Sequence, residues 1–347
     1  MSQVEAALYL VYALVVLLPL LPGLLELRTA ADDDPLKIDA AYARDPRFLG
    51  KSMRAKVVPI LEETEGEARV PFLNRKNEFA IVTNGHASLD RERFENVVLS
   101  RGGFRVGDHS TMLDVYARGD VEVGAHAQLR TFAADRGASF GSRTNVMRWI
   151  DVEGDCRIGD ASDLGQSVSA AGRLILGTGV RFNRLFGRPI AVVDGRRAEL
   201  RALETGPLLV RSATSRRLLK SVVVDPETRI EGDVIATGDV EVCAGAVVAG
   251  SIKAGGTVVL RERACVFGNV VARGTVTLAC DATILGHIFG ESDVVLHAGA
   301  LVGDRHAPKT IHASRGASIA SEACIFGWLI AERGGITLAD VDHHEES

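Results

Sequence analysis

The side chains able to do acid–base or metal chemistry in this 347-residue chain are scattered rather than grouped. His109, His126, His287 and His297 are the histidines to weigh as the base of an acyl transfer. His287 directly follows a regularly spaced glycine, which points its ring to solvent, and His126 lies in a less regular stretch. Asp233, Asp239, Asp281 and Asp293 are the carboxylates a glycan-cleaving site would draw on. Such a site needs a close pair whose pKa values are pushed apart, whereas these four fall near turns of different repeats. They read as solvated turn residues. His343-His344, in a polar tail, is a weak metal signal. Cys156, Cys243, Cys265, Cys280 and Cys324 are odd in number and lack CxxC spacing, so they read as reduced thiols. There is no GxxxxGK[ST] loop to cradle ATP or GTP. The expectation is a chain with no catalytic residue, no metal and no cofactor.

What such a chain does must then lie in its elements. Apolar residues make up 46% of it but aromatics only 5%, a Val/Ile/Leu/Ala mixture that favours strands. A net charge of −5 gives no case for nucleic-acid binding. Glycines stand at 232, 250, 268 and 286, eighteen residues apart each time, then at 303 and 327 around the longer stretch "DRHAPKTIHASRGAS". Counted from each marker, the second residue is Val234, Ile252, Val270 and Ile288, the eighth Val240, Val258, Val276 and Val294. The tenth is Val242, Leu260, Leu278 and Leu296. The sixteenth is Val248, Val266 and Ile284, with Leu301 taken as the next. Alternation with period two inside an eighteen-residue repeat predicts three short strands per coil, and coils that stack as an all-β, parallel β-solenoid of triangular section. Gly119, Gly137, Gly154 and Gly172 carry a similar spacing in the earlier half.

Two surfaces stand out. Phe267, Leu285, Val302 and Phe326 precede the markers and, with Trp328, form an apolar stripe expected on an outer face. At the C-terminal end, Leu329, Ile330, Ile336 and Leu338 are expected to form a self-association surface, since only "DHHEES" follows the last coil. Between the halves, Arg188 to Lys220 holds seven Arg, one Lys and three acids, about +5, and breaks the period. It is expected to be a loop on one face, solvated or facing anionic lipid.

Ala6 to Leu25 is twenty residues without a charge, long enough to span a bilayer. Arg28, Lys37 and Arg44 follow it and no cation precedes it, which predicts an outside N-terminus and a cytoplasmic remainder. The expected plan is an anchor over 1–27 and a tether over 28–77 with a short helix near Lys51–Leu61. A first solenoid segment over 78–187, a basic insertion over 188–225, a second segment over 226–340 and a polar tail over 341–347 follow.

The run from Thr228 to Gly303, "RIEGDVIATGDVEV…AVVAGSIKAGGTVVL…CVFGNVVARGTVTL…TILGHIFGESDVVL", resembles the bactofilins, polymer-forming bacterial cytoskeletal proteins. That resemblance implies a right-handed β-helix, nucleotide-free self-association at the inner membrane, and a scaffolding role that positions cell-envelope or morphogenesis factors. It implies no enzymatic activity, and partners that include the chain itself and the membrane. The alternative is the hexapeptide-repeat acyltransferases, whose left-handed solenoid has the same period. Val123-Gly124, Ile158-Gly159 and Leu176-Gly177 are similar to its steps.

Overall fold

The computed structural model describes residues 12, 15–18, 45–72, 79–84, 88–89, 96–192 and 212–339. Residues up to Asp45 form one compact unit and those from Pro46 another. Of the expected membrane span, only Tyr12 and Val15 to Leu18 are described. Among the described residues no helix is long and apolar enough to cross a membrane. The tail at 341–347 lies outside the described residues.

The second unit is a parallel β-solenoid of about 12 turns with roughly 18 residues per turn. Each turn contributes one short strand to each of three faces. Three-residue strands such as Val258–Leu260 and Val276–Leu278 bury their first and third residues and leave the middle one toward solvent. Stacking repeats this pattern, so identical positions touch. On face A the inward ladder of the first segment runs Val98, Val115, Phe132, Ile150, Val168, Leu185. In the second segment it runs Val234, Ile252, Val270, Ile288, Ile311, Leu329. All twelve are buried, and each branched side chain packs on its copy one coil away, ~4.8 Å along the axis.

The two ladders join end to end. Strand Arg181–Val192, the last coil of the first segment, pairs antiparallel with strand Cys324–Leu338, the last coil of the second. Leu185 faces Leu329 on face A, Ile190 faces Ile325 on face B and Phe182 faces Gly335 on face C. The face B ladder therefore also continues, from Phe104, Val121, Ala138, Cys156, Leu174 and Ile190 into Ile325, Val302, Ile284, Val266, Val248 and Ile230. One apolar core runs through both halves. Face B of the first segment becomes the 229–325 face of the second because an antiparallel join turns one half over. At the seam the Thr337 hydroxyl donates to the Gly177 carbonyl at 2.7 Å and accepts the Val180 N–H at 2.9 Å, so the join closes its polar groups too.

This arrangement corrects several expectations. The backbone edge through Leu329, Ile330 and Ile336 is paired within the chain, opposite Leu185, Arg184 and Arg181; Leu329 is fully buried, while the side chains of Ile336 and Leu338 stay 36% and 39% exposed. Val302 is a core residue, not part of an outer stripe, because it pairs with Ile284 and Ile325 and is fully buried. Leu301 takes the outward place. No residue is missing: Lys309, level with Gly286 and Gly327, takes the marker's place, and Gly303 stands where Leu285 does one coil earlier, which misled a count made from glycines. The long stretch after Gly303 shrinks to a five-residue excess at the bend 304–308, since Ile288 pairs with Ile311 and Val294 with Ala317 in regular coils. Pairing also runs to Val192 and resumes at Ser212, so much of the expected basic insertion is solenoid; 193–211 lies outside the described residues.

Among the glycines counted as markers, Gly232, Gly303 and Gly327 have φ of 122°, 81° and 135°, where a side chain is strained, and the other three are glycine for a different reason. Gly250, Gly268 and Gly286 do not need a left-handed backbone; a Cβ on Gly268 would sit 2.6 Å from the carbonyl carbon of Gly250, and one on Gly286 2.1 Å from the Gly268 oxygen. The corner is too tight for a side chain. The left-handed corner residues form another column: Glu227, Gly245, Arg263, Asp281, Gly299 and Glu322, with φ between 53° and 69°. In the first segment His109, His126, Arg143, Ala161 and Gly179 occupy the equivalent place.

Candidate functional site

Helix Phe48–Glu63 lies on the outside of face A. Under it the outward column is apolar where solvent-facing residues would be polar: Leu99, Tyr116 and Ala133 are fully buried, and Val57 and Leu61 of the helix pack on them. Next in that column comes Asp151, 1% exposed. Arg47 forms a fork with it, Nε to Oδ1 and Nη2 to Oδ2, both at 2.9 Å. Arg54 bonds the same carboxylate as well as Asp135, and Arg47 reaches Glu153. Ser169 adds an O–H donor at 2.6 Å. Gly50 is required at the crossing, since a Cβ there would meet the Asp151 carboxyl carbon at 2.2 Å. Burial acts to lower the pKa of both guanidiniums, and the bonds and charges of Asp151 and its neighbours outweigh it, leaving both raised above the usual arginine value. A carboxylate so committed is an anchor, not a base. Sequence reading missed this cluster. Its signals were the apolar outward column and two arginines seven residues apart, hence on one helix face.

The sequence candidates stand apart from one another. His109 and His126 stack in successive corners, ring centroids 4.6 Å apart and planes within 9°. His287 Nδ1 accepts the Thr310 N–H at 3.0 Å; burial, then Lys309, pushes its pKa below the usual value. His297 occupies a different corner, half-buried. The aspartates have a shared task, which their reading as solvated turn residues overlooked. Asp233 accepts the N–H of Ser251, Asp239 that of Thr257 and Asp293 that of Gly316, each one coil on, at 2.7 to 2.8 Å. Asp108, Asp120, Asp155 and Asp160 do the same in the first half. They satisfy amide donors that the ladders leave open at corners. Asp281 occupies a left-handed corner instead. The five cysteines are free, with Cys156 in the core. Among the described residues no group of three or more His, Cys, Asp or Glu could hold a metal ion; His343 and His344 lie outside them.

What the surface offers is apolar and lateral. Phe267 is 39% exposed; Leu285 and Trp328 are half-buried and Phe326 is covered, so the outer stripe is shorter than its sequence suggests. A second set was not foreseen. On face A the outward column Ile235, Lys253, Val271, Phe289, His312 and Ile330 exposes Val271 at 38% and Phe289 at 45%, with the imidazoles of His287 and His312 flanking the Phe289 ring. The seam adds a groove of about 660 Å³ at the edge between faces A and C, with Arg181, Asn183, Asp293, Ser318 and Arg333 on its walls.

No known protein family, no curated protein and no solved structure matches this chain.

Proposed function

We propose that this protein is a bactofilin-like scaffold: a right-handed β-solenoid, held at the inner membrane by residues 6–25 with the solenoid in the cytoplasm, that self-associates without nucleotide and positions cell-envelope factors. One observation carries the reading. Two repeat segments are fused into a rod with a single uninterrupted core, and the rod presents partly exposed aromatic and aliphatic side chains along its flank, Val271 and Phe289 foremost. A solid core of stacked branched residues resists bending, which suits a spacer. Exposed apolar residues along a flank suit lateral contact with copies or partners. Because the C-terminal coil is paired inside the chain, assembly in this reading is lateral, or through the far ends, rather than through Ile336 and Leu338. The test is electron microscopy of the purified chain without nucleotide, beside a Val271→Glu, Phe289→Glu variant. Bundles or filaments that the variant loses are expected. Monodisperse particles at every concentration, or discrete trimers of the acyltransferase kind, would overturn it.

A further inference from the structure

We propose that the seam is exchangeable: the first segment of one chain closes on the second segment of another copy, giving a swapped dimer. The occupant is thus a second copy of this chain. The proposal uses the self-association reading for its setting, but the seam carries it. Every seam contact lies between one first-segment coil and one second-segment coil: Leu185 with Leu329, Ile190 with Ile325, Phe186 with Trp328, Thr337 with Gly177 and Val180. An exchanged pair keeps them all, so swapping costs no contact. Each segment meanwhile has its own stack of coils and needs the other only to cover its cut end.

Topology makes exchange reachable. The Val192 carbonyl accepts the N–H of Glu322 at the seam, whereas Ser212 pairs with Arg229 at the far end of the second segment. Seven coil spacings separate Val192 from Ser212, ~34 Å along the axis. The nineteen residues 193–211 join them, and a chain of that length extends to ~65 Å at most. A tether this long places the second segment near its own partner at an effective concentration in the millimolar range. Closure within one chain therefore wins at micromolar concentration, and exchange competes where copies crowd together. If the tether is cut below the span, only exchange remains. Two rods side by side and antiparallel, second segment beside second segment, bring each Val192 level with the Ser212 that it must reach.

The test uses the full-length chain in mild detergent. Arg184→Cys and Ile330→Cys are made in separate copies; these positions face each other across the seam and neither is fully buried. The two copies are mixed, concentrated and oxidised, with the parent and its five native thiols as control. A disulfide between the copies, growing as concentration nears a millimolar, is the expected result. In a second arm, deletion of 195–208 leaves five residues, a reach of ~22 Å, against the ~34 Å span. The shortened chain should run at twice the parent's mass in light scattering. With both cysteines present, oxidation should link its copies. A folded shortened chain that stays monomeric, or mixed copies that never cross-link at high concentration, overturns exchange. Dimers or filaments without the seam disulfide would overturn exchange while leaving the scaffold reading in place. Seam-linked dimers that never form larger assemblies would do the reverse.

Discussion

Replacing Asp151 with Asn tests what fastens the helix to the rod. The substitution keeps the shape and removes the charge between Arg47 and Arg54, whose side chains are only 10% and 13% exposed. The amide has one oxygen to offer where the carboxylate bonds two guanidiniums, and its NH2 faces donors. Breaking a buried pair this way costs about 3–5 kcal/mol. Glu153 and Asp135, at 38% and 32% exposure, already bond the same arginines and can recover little. The apolar anchors Val57 and Leu61, both essentially buried, contribute ~1.5–3 kcal/mol each, so the ionic loss is of the same size as the apolar grip. The helix, a peripheral element on a many-coil core, should therefore open locally well before the solenoid melts. A loss of 3 kcal/mol raises the open population by ~100-fold. Tryptic cutting at Lys51 and Lys56, both exposed on the helix, should accelerate by that order, with strand content unchanged by circular dichroism. An apolar triple replacement, Arg47→Met, Arg54→Met and Asp151→Leu, should restore protection. If Asp151→Asn is cut at the parental rate, the cluster does not hold the helix and the reasoning fails.

Other expected outcomes concern the core, the corners and the buried titratable groups. Leu278→Asp, at a fully buried position, should cost ~5 kcal/mol or more in urea unfolding, and outward Thr277→Asp almost nothing; equal losses would mean that the inward register is wrong. Gly268→Ala should cost ~2 kcal/mol because its Cβ meets the Gly250 backbone at 2.6 Å, whereas Gly290→Ala, whose nearest neighbour is a Val294 methyl at 3.3 Å, should cost under ~1 kcal/mol; the reverse order in melting temperature would refute the tight-corner account. Maleimide at pH 8 should label half-exposed Cys243 first and Cys156 only on unfolding, since burial leaves Cys156 inaccessible and raises its pKa; early labelling of Cys156 would displace it from the core. Burial, joined for Tyr116 by its bond to Asp135, pushes Tyr116 up to about 12 and Cys265 to about 11. The unfolded chain ionises these groups first, Cys near ~8.5 and Tyr near ~10, so stability should fall as pH rises through that window up to the folded values. A urea midpoint at pH 10.5 equal to that at pH 7.5 would contradict it.

Much of the coil is legible from residue order because the coil is a local structure. The choice of inward or outward side repeats every two residues, the turn recurs within six, and a branched residue packs on its copy eighteen places away. Val276 and Leu278 are placed inside by that arithmetic alone, and the structure agrees. The arithmetic slips where a count is kept from corners instead of the core, which is how Val302 was turned outward and the bend at 304–308 made too long. The aspartates were seen as turn residues, but their bonds to the next coil needed the stacking distance.

Residue order alone therefore determined the strand period, the three faces, the register of the second segment from Val234 to Leu296 and a helix near Lys51. Only the tertiary structure decided that the two segments meet tail to tail, that Leu329 and Ile336 face Leu185 and Arg181 instead of a second copy, and that Asp151 lies buried beneath two arginines. The physical reason is one of range. A repeat specifies what each coil needs above and below it, and that need is the same at every level. The sequence of a terminal coil says that its open edge must be covered. Which surface covers it depends on where a distant part of the chain arrives, and on the length of the segment that brings it there.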